Sequence, residues 1–286
     1  MLAVANREMS LIQNFGADKL TGRPLLSGGM GAAPDEHIRL LRHFVAILPH
    51  ILPPTDISYS ILLHHDLHLD NIFVDETDPT KVSSIIDWQA VYAAPLFLQA
   101  RFPSIFNCDD PYPWGAVQPK LPENFDALSQ PDKELARAIL DRVRLKKFYE
   151  LALRKFNPIF VRAMDVMRND NDPTTFIFPI IGQSAIDGPI PLKELLIQIY
   201  EKWAQITKRK DFTIPCPISF TKEEIKEGRQ QAQAWADAYN EFDNLRSQIA
   251  GKDGWVSHDE YEEAIRRFES YKGNLETLRK RLEELS

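Results

Sequence analysis

The chain of 286 residues has the composition of a globular protein, with 44% hydrophobic residues and a formal net charge of −7 at pH 7. This length fits one large domain or two modest ones, and the negative charge argues against a broad nucleic-acid-binding surface. Two cysteines provide neither a metal cluster nor a disulfide framework, so free thiols in a reducing compartment are expected. The sequence predicts no membrane span, no signal peptide and no mitochondrial presequence.

Two helices and a glycine-rich segment are predicted before the first strand. Residues 2–15 have an apolar spacing compatible with a helix, and residues 34–48 carry apolar side chains at helical spacing behind Asp35 and Glu36, which suit a first helical turn. Residues 16–34 hold five glycines. A phosphate-binding loop is one interpretation of these glycines, but a plain loop is favoured because no strand pattern flanks them.

The functional prediction rests on residues 61–88. β-Branched and aromatic residues on both sides of Pro79 predict the two strands of a hairpin. Asn71 and Asp87 are each eight residues from Pro79, so we expect them opposite each other, within one residue, on one face of the hairpin. An amide oxygen and a carboxylate so placed can share one Mg²⁺ ion, and Asp66, in the loop before Asn71, could act as a base.

The pattern His64-x-Asp66-x4-Asn71, followed by Asp87 between isoleucine and tryptophan, resembles the catalytic loop and metal-binding segment of the aminoglycoside phosphotransferase-like, protein-kinase-like family. The string HHDLHLDNIFVD is most similar to the fungal branch related to the altered-inheritance-of-mitochondria phosphotransferases. The resemblance implies that Asp66 is the catalytic base and that Asn71 and Asp87 bind Mg²⁺ and, with it, the nucleotide. The resemblance also includes two histidines in the catalytic group. His64 is the structural histidine of the loop, and His68 matches a histidine position near the active site.

By this resemblance the chain is a phosphotransferase that uses ATP and Mg²⁺ to transfer a phosphoryl group to the hydroxyl of an unidentified substrate. The implied fold is α+β, mostly α: a kinase-like C-terminal lobe over residues 1–220, in which a small β-hairpin carries the site, followed by a helical hairpin over residues 221–286. A mitochondrial location is suggested by the resemblance alone; otherwise the protein is expected in the cytoplasm.

The N-terminal lobe of such a kinase is expected to be missing from this chain. That lobe normally supplies a phosphate-covering loop and a strand lysine. The residues before Asp66 predict helices and a glycine loop, and they offer no candidate strand lysine. The lobe is therefore expected to be supplied elsewhere, in cis or in trans, and this chain alone is expected to be incomplete or inactive.

The rest of the chain is predicted to be helical after an irregular, proline-rich stretch at residues 89–131. In that stretch, the aromatic side chains of Tyr112 and Trp114 could line a substrate pocket or could pin the segment to the core. Helices are then predicted at residues 131–157, 159–167 and 190–206.

Two capping boxes are predicted near the C-terminus, at Thr221 with Glu224 and at Ser257 with Glu260. Residues 251–256 imitate the second half of a calcium-binding loop. The first half lacks the required ligands, so a helical hairpin closed by a glycine turn is predicted instead.

Two other functions remain open. The first is a non-catalytic interaction or assembly module descended from a kinase, which the absent lobe favours and the intact acidic motif disfavours. The second is a metal-dependent hydrolase that uses a histidine cluster. That reading leaves Asp87 unexplained and lacks a glutamate base at the spacing of zinc proteases; its ligands would come from His64, His65, Asp66, His68 and Asp70.

Overall fold

The computed structural model describes residues 1–19, 34–89, 91–106, 111–168, 172–182, 184, 188–210, 213–250 and 256–285. Most of the glycine-rich segment, Cys108 and most of the glycine turn at residues 251–256 lie outside these ranges. In chain order the helices and strands are α1 (Leu2–Lys19), α2 (Pro34–Ile51), β1 (Ser60–Leu62), β2 (Ile72–Val74), β3 (Val82–Ile85), β4 (Ala93–Pro95), α3 (Leu96–Gln99), α4 (Gln130–Phe156), α5 (Pro158–Met167), α6 (Pro173–Ile181), α7 (Ile190–Glu201), α8 (Trp203–Arg209), α9 (Lys222–Ala250) and α10 (Tyr261–Leu285). The predicted composition, mostly α with a few antiparallel strands, is confirmed for these residues.

The chain divides into two compact units. The helical unit comprises residues 1–52 and 171–286, and the site unit comprises residues 53–170. The identity of the fold as a kinase-like C-terminal lobe and the boundary at residue 220 stay predictions. None of the helices in the described ranges is both long and apolar enough to cross a membrane.

The helical unit is held together by the apolar faces predicted for α2 and α7. These helices pack against each other, and α2 also packs against α1 and α7 against α9. Gly228 lets α9 come close to α7, because a Cβ atom there would lie 2.7 Å from Ile197 Cδ1. The two faces bury large aliphatic and aromatic side chains: Leu40, Leu41, Phe44, Ile47, Leu192, Leu196 and Ile199.

One helix of this unit is shorter than predicted, and another was not predicted. The helix predicted at residues 190–206 is divided at Lys202, which leaves helical geometry with φ −89° and ψ 6°. The buried indole of Trp203 follows and donates a hydrogen bond to the Ile214 carbonyl at 2.9 Å. The helix that was not predicted is α6, and Asp172 caps its N-terminus by accepting from the Thr174 amide at 3.0 Å.

The first of the two predicted capping boxes is confirmed. The Thr221 amide donates to the Glu224 carboxylate at 2.7 Å, and the Glu224 amide donates to the Thr221 hydroxyl at 3.1 Å. The second box is not formed as predicted: the Ser257 hydroxyl donates to the Glu260 carboxylate at 2.8 Å and does not cap a backbone amide. The reason is that residues 258–260 form a tight 3-10 turn, in which the Glu260 amide bonds to the Ser257 carbonyl at 3.2 Å.

We expect the helical unit to lose stability in mild acid because of His37. Burial lowers the pKa of His37 from 6.5 to about 4, and no described residue hydrogen-bonds to its Nε2 atom. Since the folded pKa lies below the unfolded one, the unfolded state binds more protons between these values, and stability falls as pH decreases through this window. The expected loss between pH 8 and pH 5 is about 2 kcal/mol.

Urea unfolding at several pH values tests this expectation. His37→Leu removes the titrating group and keeps a buried side chain of similar size. The change in unfolding free energy between pH 8 and pH 5 should therefore be smaller in this variant by about 2 kcal/mol. An unchanged pH dependence in this variant would assign the acid sensitivity to other groups.

In the site unit, one asparagine ends α4 and begins α5. Ser129 caps the start of α4 by accepting from the Asp132 amide at 3.4 Å. Asn157 follows the last residue of α4, and its side chain accepts from the Phe160 amide at 3.3 Å. Pro158 is the first residue of α5, a position where its missing N–H costs nothing. The chain therefore forms two separate helices here and not one helix kinked at Pro158.

The buried face of α4 is more polar than its sequence pattern suggests. Glu150 is fully buried and accepts hydrogen bonds from Lys147 Nζ (2.6 Å), Arg154 Nε (2.8 Å), the Tyr112 hydroxyl (2.6 Å) and the Gly115 amide (2.9 Å). This network ties the irregular segment around Tyr112 to the helix. Several apolar residues on which the helix prediction relied are exposed instead: Leu135, Leu145, Phe148 and Leu151.

The site unit contains two small antiparallel sheets, β1 with β4 and β2 with β3. The pairing of β2 with β3 confirms the predicted hairpin, with Ile72 opposite Ile85. Its turn is closed by Asp75, whose Oδ1 atom accepts from the amides of Thr77 (2.8 Å) and Asp78 (2.9 Å). Short polar side chains that bond to the following backbone favour such turns, which explains why the hairpin could be predicted from its local sequence.

Candidate functional site

The site loop, residues 63–71, connects β1 to β2 and is fastened to the end of the hairpin by His64. The His64 side chain is buried, and its Nε2 atom lies 2.8 Å from the Ile86 carbonyl oxygen. Because a carbonyl oxygen can only accept, Nε2 carries the proton. The Trp88 ring meets the His64 ring edge-on, with centroids 4.9 Å apart. His64 therefore positions the loop.

Asn71 is buried at the end of the site loop and has a fixed orientation. Its Nδ2 atom donates to the Asp66 carbonyl at 2.9 Å, and its backbone carbonyl accepts from the Ile86 amide at 3.0 Å. The contact with the Asp66 carbonyl shows which end of the Asn71 side-chain amide is the nitrogen, since only the nitrogen can donate to a carbonyl oxygen. None of the hydrogen bonds found among the described residues uses Asn71 Oδ1, so this oxygen is the atom that can bind a cation.

The orientation of Asn71 also determines the tautomer of His68. Asn71 Nδ2 lies 3.0 Å from His68 Nε2, and because the amide nitrogen is a donor, Nε2 must accept. In the neutral ring the proton then sits on Nδ1, which faces Asp70 Oδ2 at 3.4 Å. Asp66 Oδ2 lies 3.6 Å from Nε2. This distance is too long for a hydrogen bond, and the carboxylate oxygen faces the lone pair of the unprotonated nitrogen. The Asp66 carboxylate is thus left available to another partner.

Asp87 follows the hairpin in an uncommon backbone conformation. The pairing of Ile72 with Ile85 and the hydrogen bond between Asn71 and Ile86 place Asn71 opposite Ile86, one residue from the predicted partner Asp87. The offset is the one residue that the prediction allowed, but neighbouring strand positions face opposite sides, so the pairing by itself does not put the two side chains on one face. A shift in the pairing falls between Phe73 and Val74 and skips Ser83 on β3. Asp87 itself has φ 59°, a left-handed conformation that aspartate tolerates better than most residues. Its side chain is exposed.

A second set of contacts joins the site loop to residues 101–105. His65 Nδ1 lies 2.6 Å from Arg101 Nη2, and the Leu67 carbonyl accepts from the Ser104 hydroxyl at 2.9 Å. The His65 ring also stacks on Tyr92 at 4.7 Å. Burial, with the positive charge of Arg101, lowers the pKa of His65, so the ring stays neutral and can accept from the guanidinium.

Arg101 and Ser104 were not predicted from the sequence as site residues. They lie 36 and 37 residues from their partners, and no local spacing connects them to the motif. Only the proline-rich composition around them gave a signal, and it indicated an irregular segment without a defined role.

The histidines of the motif are not arranged around one ion. His64 bonds to a backbone carbonyl, and His65 bonds to a guanidinium. In the described ranges, no group of three histidine, cysteine or acidic side chains is placed to hold a metal ion. The geometry therefore gives no support to the metal-dependent hydrolase.

Residues 23–97 match the family described as "Phosphotransferase enzyme family". The matched segment includes Asp66, Asn71 and Asp87. Two fungal relatives are similar over most of the chain. A "subtelomeric hrmA-associated cluster protein" of Aspergillus fumigatus is 26% identical over 266 residues, which cover 92% of this chain and 51% of the relative. "Altered inheritance of mitochondria protein 9, mitochondrial" of Vanderwaltozyma polyspora is 24% identical over 217 residues, which cover 74% of this chain and 31% of the relative.

The chain thus spans about half the length of the first relative and about a third of the second. No solved structure matches it significantly. The resemblance that the motif predicted is nevertheless confirmed: residues 23–97, the segment that holds the candidate site, match the phosphotransferase enzyme family, and the similar proteins are fungal.

Proposed function

We propose that this chain is the catalytic lobe of a phosphotransferase that transfers a phosphoryl group from ATP to a substrate hydroxyl. The observation that carries the proposal is the orientation of Asn71. Its amide nitrogen is held on the backbone of the residue proposed as base, Asp66, and its oxygen is left for a cation. The buried Asn71 side chain thus connects the proposed base, through its amide nitrogen, with the proposed cation site, through its amide oxygen.

Asn71 and Asp87 fit Mg²⁺ by their chemistry. Mg²⁺ prefers oxygen ligands and is commonly held by one or two protein groups together with phosphates and water. The Asn71 amide oxygen and the Asp87 carboxylate provide such a pair, at adjoining positions at the end of the hairpin. Mg²⁺, when bound, supplies positive charge that offsets the charge of the nucleotide phosphates.

Asp66 is the proposed base because its side chain is accessible while its backbone is held. The Asp66 side chain is 68% exposed, whereas its carbonyl accepts from both the Asn71 side chain and the His68 amide. A carboxylate so placed can take the proton of a substrate hydroxyl, and catalysis otherwise depends on positioning and charge. In this proposal His64 and His68 position the loop and do not touch the reacting atoms.

The proposed partners are a nucleotide, a hydroxyl-bearing substrate and an N-terminal kinase lobe, in cis or in trans. A mitochondrial location is proposed only because one distant relative carries that word in its name.

A non-catalytic interaction module is the second candidate, and exposed apolar side chains on the hairpin favour it. Phe73, Val82 and Trp88 are about half exposed, as expected for a surface that binds another protein segment. The same exposure also suits a second kinase lobe. Turnover of ATP separates the two candidates, since an interaction module would have none.

Asp87→Asn tests the proposed metal site. We expect the substitution to lower ATP turnover by about tenfold or more at low Mg²⁺, because an amide is a weaker ligand than a carboxylate. Turnover should recover in part at high Mg²⁺. The assay uses this chain joined to a complete N-terminal kinase lobe. Asp70→Asn is the matched control, because the Asp70 side chain lies in the same loop and is 95% exposed.

An absence of Mg²⁺-dependent turnover in the unsubstituted protein, with every acceptor class offered, would favour the interaction module. A loss in Asp87→Asn that no Mg²⁺ concentration relieves would instead assign Asp87 a role other than metal binding.

A further inference from the structure

The residue before the proposed base is held by a distant arginine. Arg101 Nη2 lies 2.6 Å from Nδ1 of His65, the residue that precedes Asp66. Because a guanidinium can only donate, Nδ1 accepts and Nε2 carries the proton of the neutral ring. This Nε2 atom is hidden from solvent, and no described residue accepts its hydrogen. A buried donor without a partner costs free energy, so the fold keeps His65 on Arg101 although the other end of the ring stays unsatisfied.

The residue after the proposed base is held by the same stretch of chain. The Leu67 carbonyl accepts from the Ser104 hydroxyl at 2.9 Å and from the Ile105 amide at 3.2 Å. The three donors to the site loop all belong to residues 101–105, which we call the support segment. The support segment is therefore hydrogen-bonded to the site loop on both sides of Asp66.

The support segment is itself fixed within the site unit. Gln99, two residues before Arg101, is buried and donates to the carbonyls of Ile61 at 2.7 Å and Ala94 at 2.8 Å, which lie on the paired strands β1 and β4. Within the segment, the Phe102 ring packs against three aromatic rings whose centroids lie 5.7 to 6.0 Å away, those of Tyr112, Trp114 and Tyr149. The site loop is thus supported by a segment that is anchored to a sheet and to α4.

The metal-binding side of the candidate site has separate supports. His64 Nε2 donates to the Ile86 carbonyl at 2.8 Å, and the Asn71 carbonyl accepts from the Ile86 amide at 3.0 Å. These contacts belong to the hairpin and do not involve the support segment. The Asp66 carboxylate differs, because none of the hydrogen bonds among the described residues uses it and its side chain is 68% exposed. Its position therefore follows from the backbone on either side.

We propose that Arg101 is a positioning residue for Asp66, an inference that rests on the proposed function. Arg101 fixes His65, and the rest of the support segment fixes Leu67, so the carboxylate between them stays aimed at the acceptor hydroxyl. A base must lie within hydrogen-bond reach of the proton that it takes, and a displacement of about 1 Å can lower a rate by about 10²-fold. Arg101 acts through His65 and does not touch the reacting atoms.

Arg101→Met tests this role, since it removes the donor and keeps an apolar stem. In this chain joined to a complete N-terminal kinase lobe, we expect kcat to fall by about tenfold or more. The KM for ATP and the Mg²⁺ concentration for half-maximal turnover should change by less than about threefold, because the hairpin holds the metal-site candidates. Arg144→Met is the matched control: Arg144 is 55% exposed on α4 and pairs loosely with Asp141 at 3.9 Å. Its kcat should be unchanged, and thermal melts check the folding of each variant.

Two substitutions of His65 isolate the hydrogen bond from the stacking of its ring on Tyr92. His65→Leu removes the acceptor and should lower kcat as much as Arg101→Met does. His65→Asn removes the ring but keeps an acceptor, because asparagine Oδ1 lies as many bonds from Cα as histidine Nδ1, and it should retain most of the kcat. Both variants lose the stacking on Tyr92, so the difference between them measures the contact with Arg101.

The Asp66→Asn background separates positioning of the base from general support of the fold. Arg101→Met should cause no further loss of turnover there, because the base that Arg101 positions is already absent. Residues that act as one unit show such non-additive losses, whereas an independent structural defect would add its own.

Amide hydrogen exchange of the full chain, without ATP or Mg²⁺, tests the support of the loop independently of turnover. In Arg101→Met, residues 63–71 should exchange at least about fivefold faster than in the unsubstituted chain, because a loop that loses an anchor opens more often. Strands β2 and β3 should exchange at the same rate in both. Arg144→Met should match the unsubstituted chain throughout.

Three results would overturn the proposal: a normal kcat in Arg101→Met, equal losses in His65→Leu and His65→Asn, or an additive loss in the Asp66→Asn background. Turnover by the unsubstituted protein with unchanged exchange in Arg101→Met would reject the role of Arg101 and leave the proposed function standing. Faster exchange in Arg101→Met, with no turnover by the unsubstituted protein, would retain the hold of Arg101 on the site loop and reject the proposed function.

Discussion

Asp66→Asn is expected to reduce phosphoryl transfer by about 10²–10⁴-fold, equivalent to roughly 3–5 kcal/mol in the activation free energy. The physical reason is that an amide cannot accept the proton of the substrate hydroxyl. The fold should be preserved, because asparagine has nearly the volume of aspartate. The Asp66 hydrogen bonds that hold the site loop use its backbone carbonyl, which accepts from Asn71 and His68.

The measurement is ATP turnover across a Mg²⁺ titration, with this chain joined to a complete N-terminal kinase lobe. High Mg²⁺ should not restore Asp66→Asn, because the lost function is proton acceptance and not metal binding. Asp70→Asn, in the same loop, should leave turnover within about twofold, and thermal melts serve as the folding control. Near-normal turnover of Asp66→Asn, or recovery at high Mg²⁺, would show that Asp66 is not the base.

Glu150→Gln should produce the largest loss of stability, about 3–5 kcal/mol in unfolding free energy. Burial by itself raises the pKa of Glu150, but hydrogen bonds from Lys147, Tyr112 and Arg154 outweigh it and hold the pKa below its usual value. The substitution removes the negative charge and leaves Lys147, whose side chain is only 6% exposed, without its counter-ion. Breaking one partner of a buried pair is costly because the remaining charge stays desolvated.

Urea unfolding followed by circular dichroism provides the measurement, and Asp141→Asn on the same helix provides the control. The side chain of Asp141 is 77% exposed and pairs loosely with Arg144 at 3.9 Å, so its substitution should change stability by less than about 0.5 kcal/mol. Because the Glu150 pKa is lowered, its contribution is present at neutral pH and disappears as pH falls through the folded pKa. Similar stability of both variants at pH 7 would mean that the buried network does not stabilise the unit.

The buried network also positions the irregular segment around Tyr112. It fixes Tyr112, whose ring lines an open pocket of the site unit and contacts Lys146. The sequence left two roles open for the aromatic residues of the irregular segment, a pocket lining or an anchor to the core. Tyr112 has both, while Trp114 is anchored by a hydrogen bond from its indole to Asp165 at 2.5 Å. A polar anchor on α4 could not be predicted, because helical spacing identifies apolar faces and gives no signal for buried ion pairs.

The sequence by itself determined the features that depend on neighbouring residues. Apolar periodicity predicted α1, α2, α4 and α7, turn-forming residues predicted the hairpin, and Thr221 with Glu224 predicted a cap. The spacing of Asn71 and Asp87 placed them at one end of that hairpin, because the residues of a hairpin approach each other through local pairing alone. Together with Asp66 it also predicted a resemblance to phosphotransferases, and residues 23–97 match that family.

Tertiary structure decided what depends on contacts between distant segments. The shift between Phe73 and Val74 and the left-handed backbone of Asp87 set where the two metal-site candidates lie. The amide of Asn71 is oriented by the backbone of Asp66, and Arg101 reaches His65 from 36 residues away. Such contacts form only where folding brings distant residues together. The sequence shows which residues can donate or accept hydrogen bonds, but not which of them meet in the fold. The candidate base and metal ligands therefore stay predictions from the sequence motif, whereas the contacts of Arg101 and Ser104 with the site loop were found only in the structure.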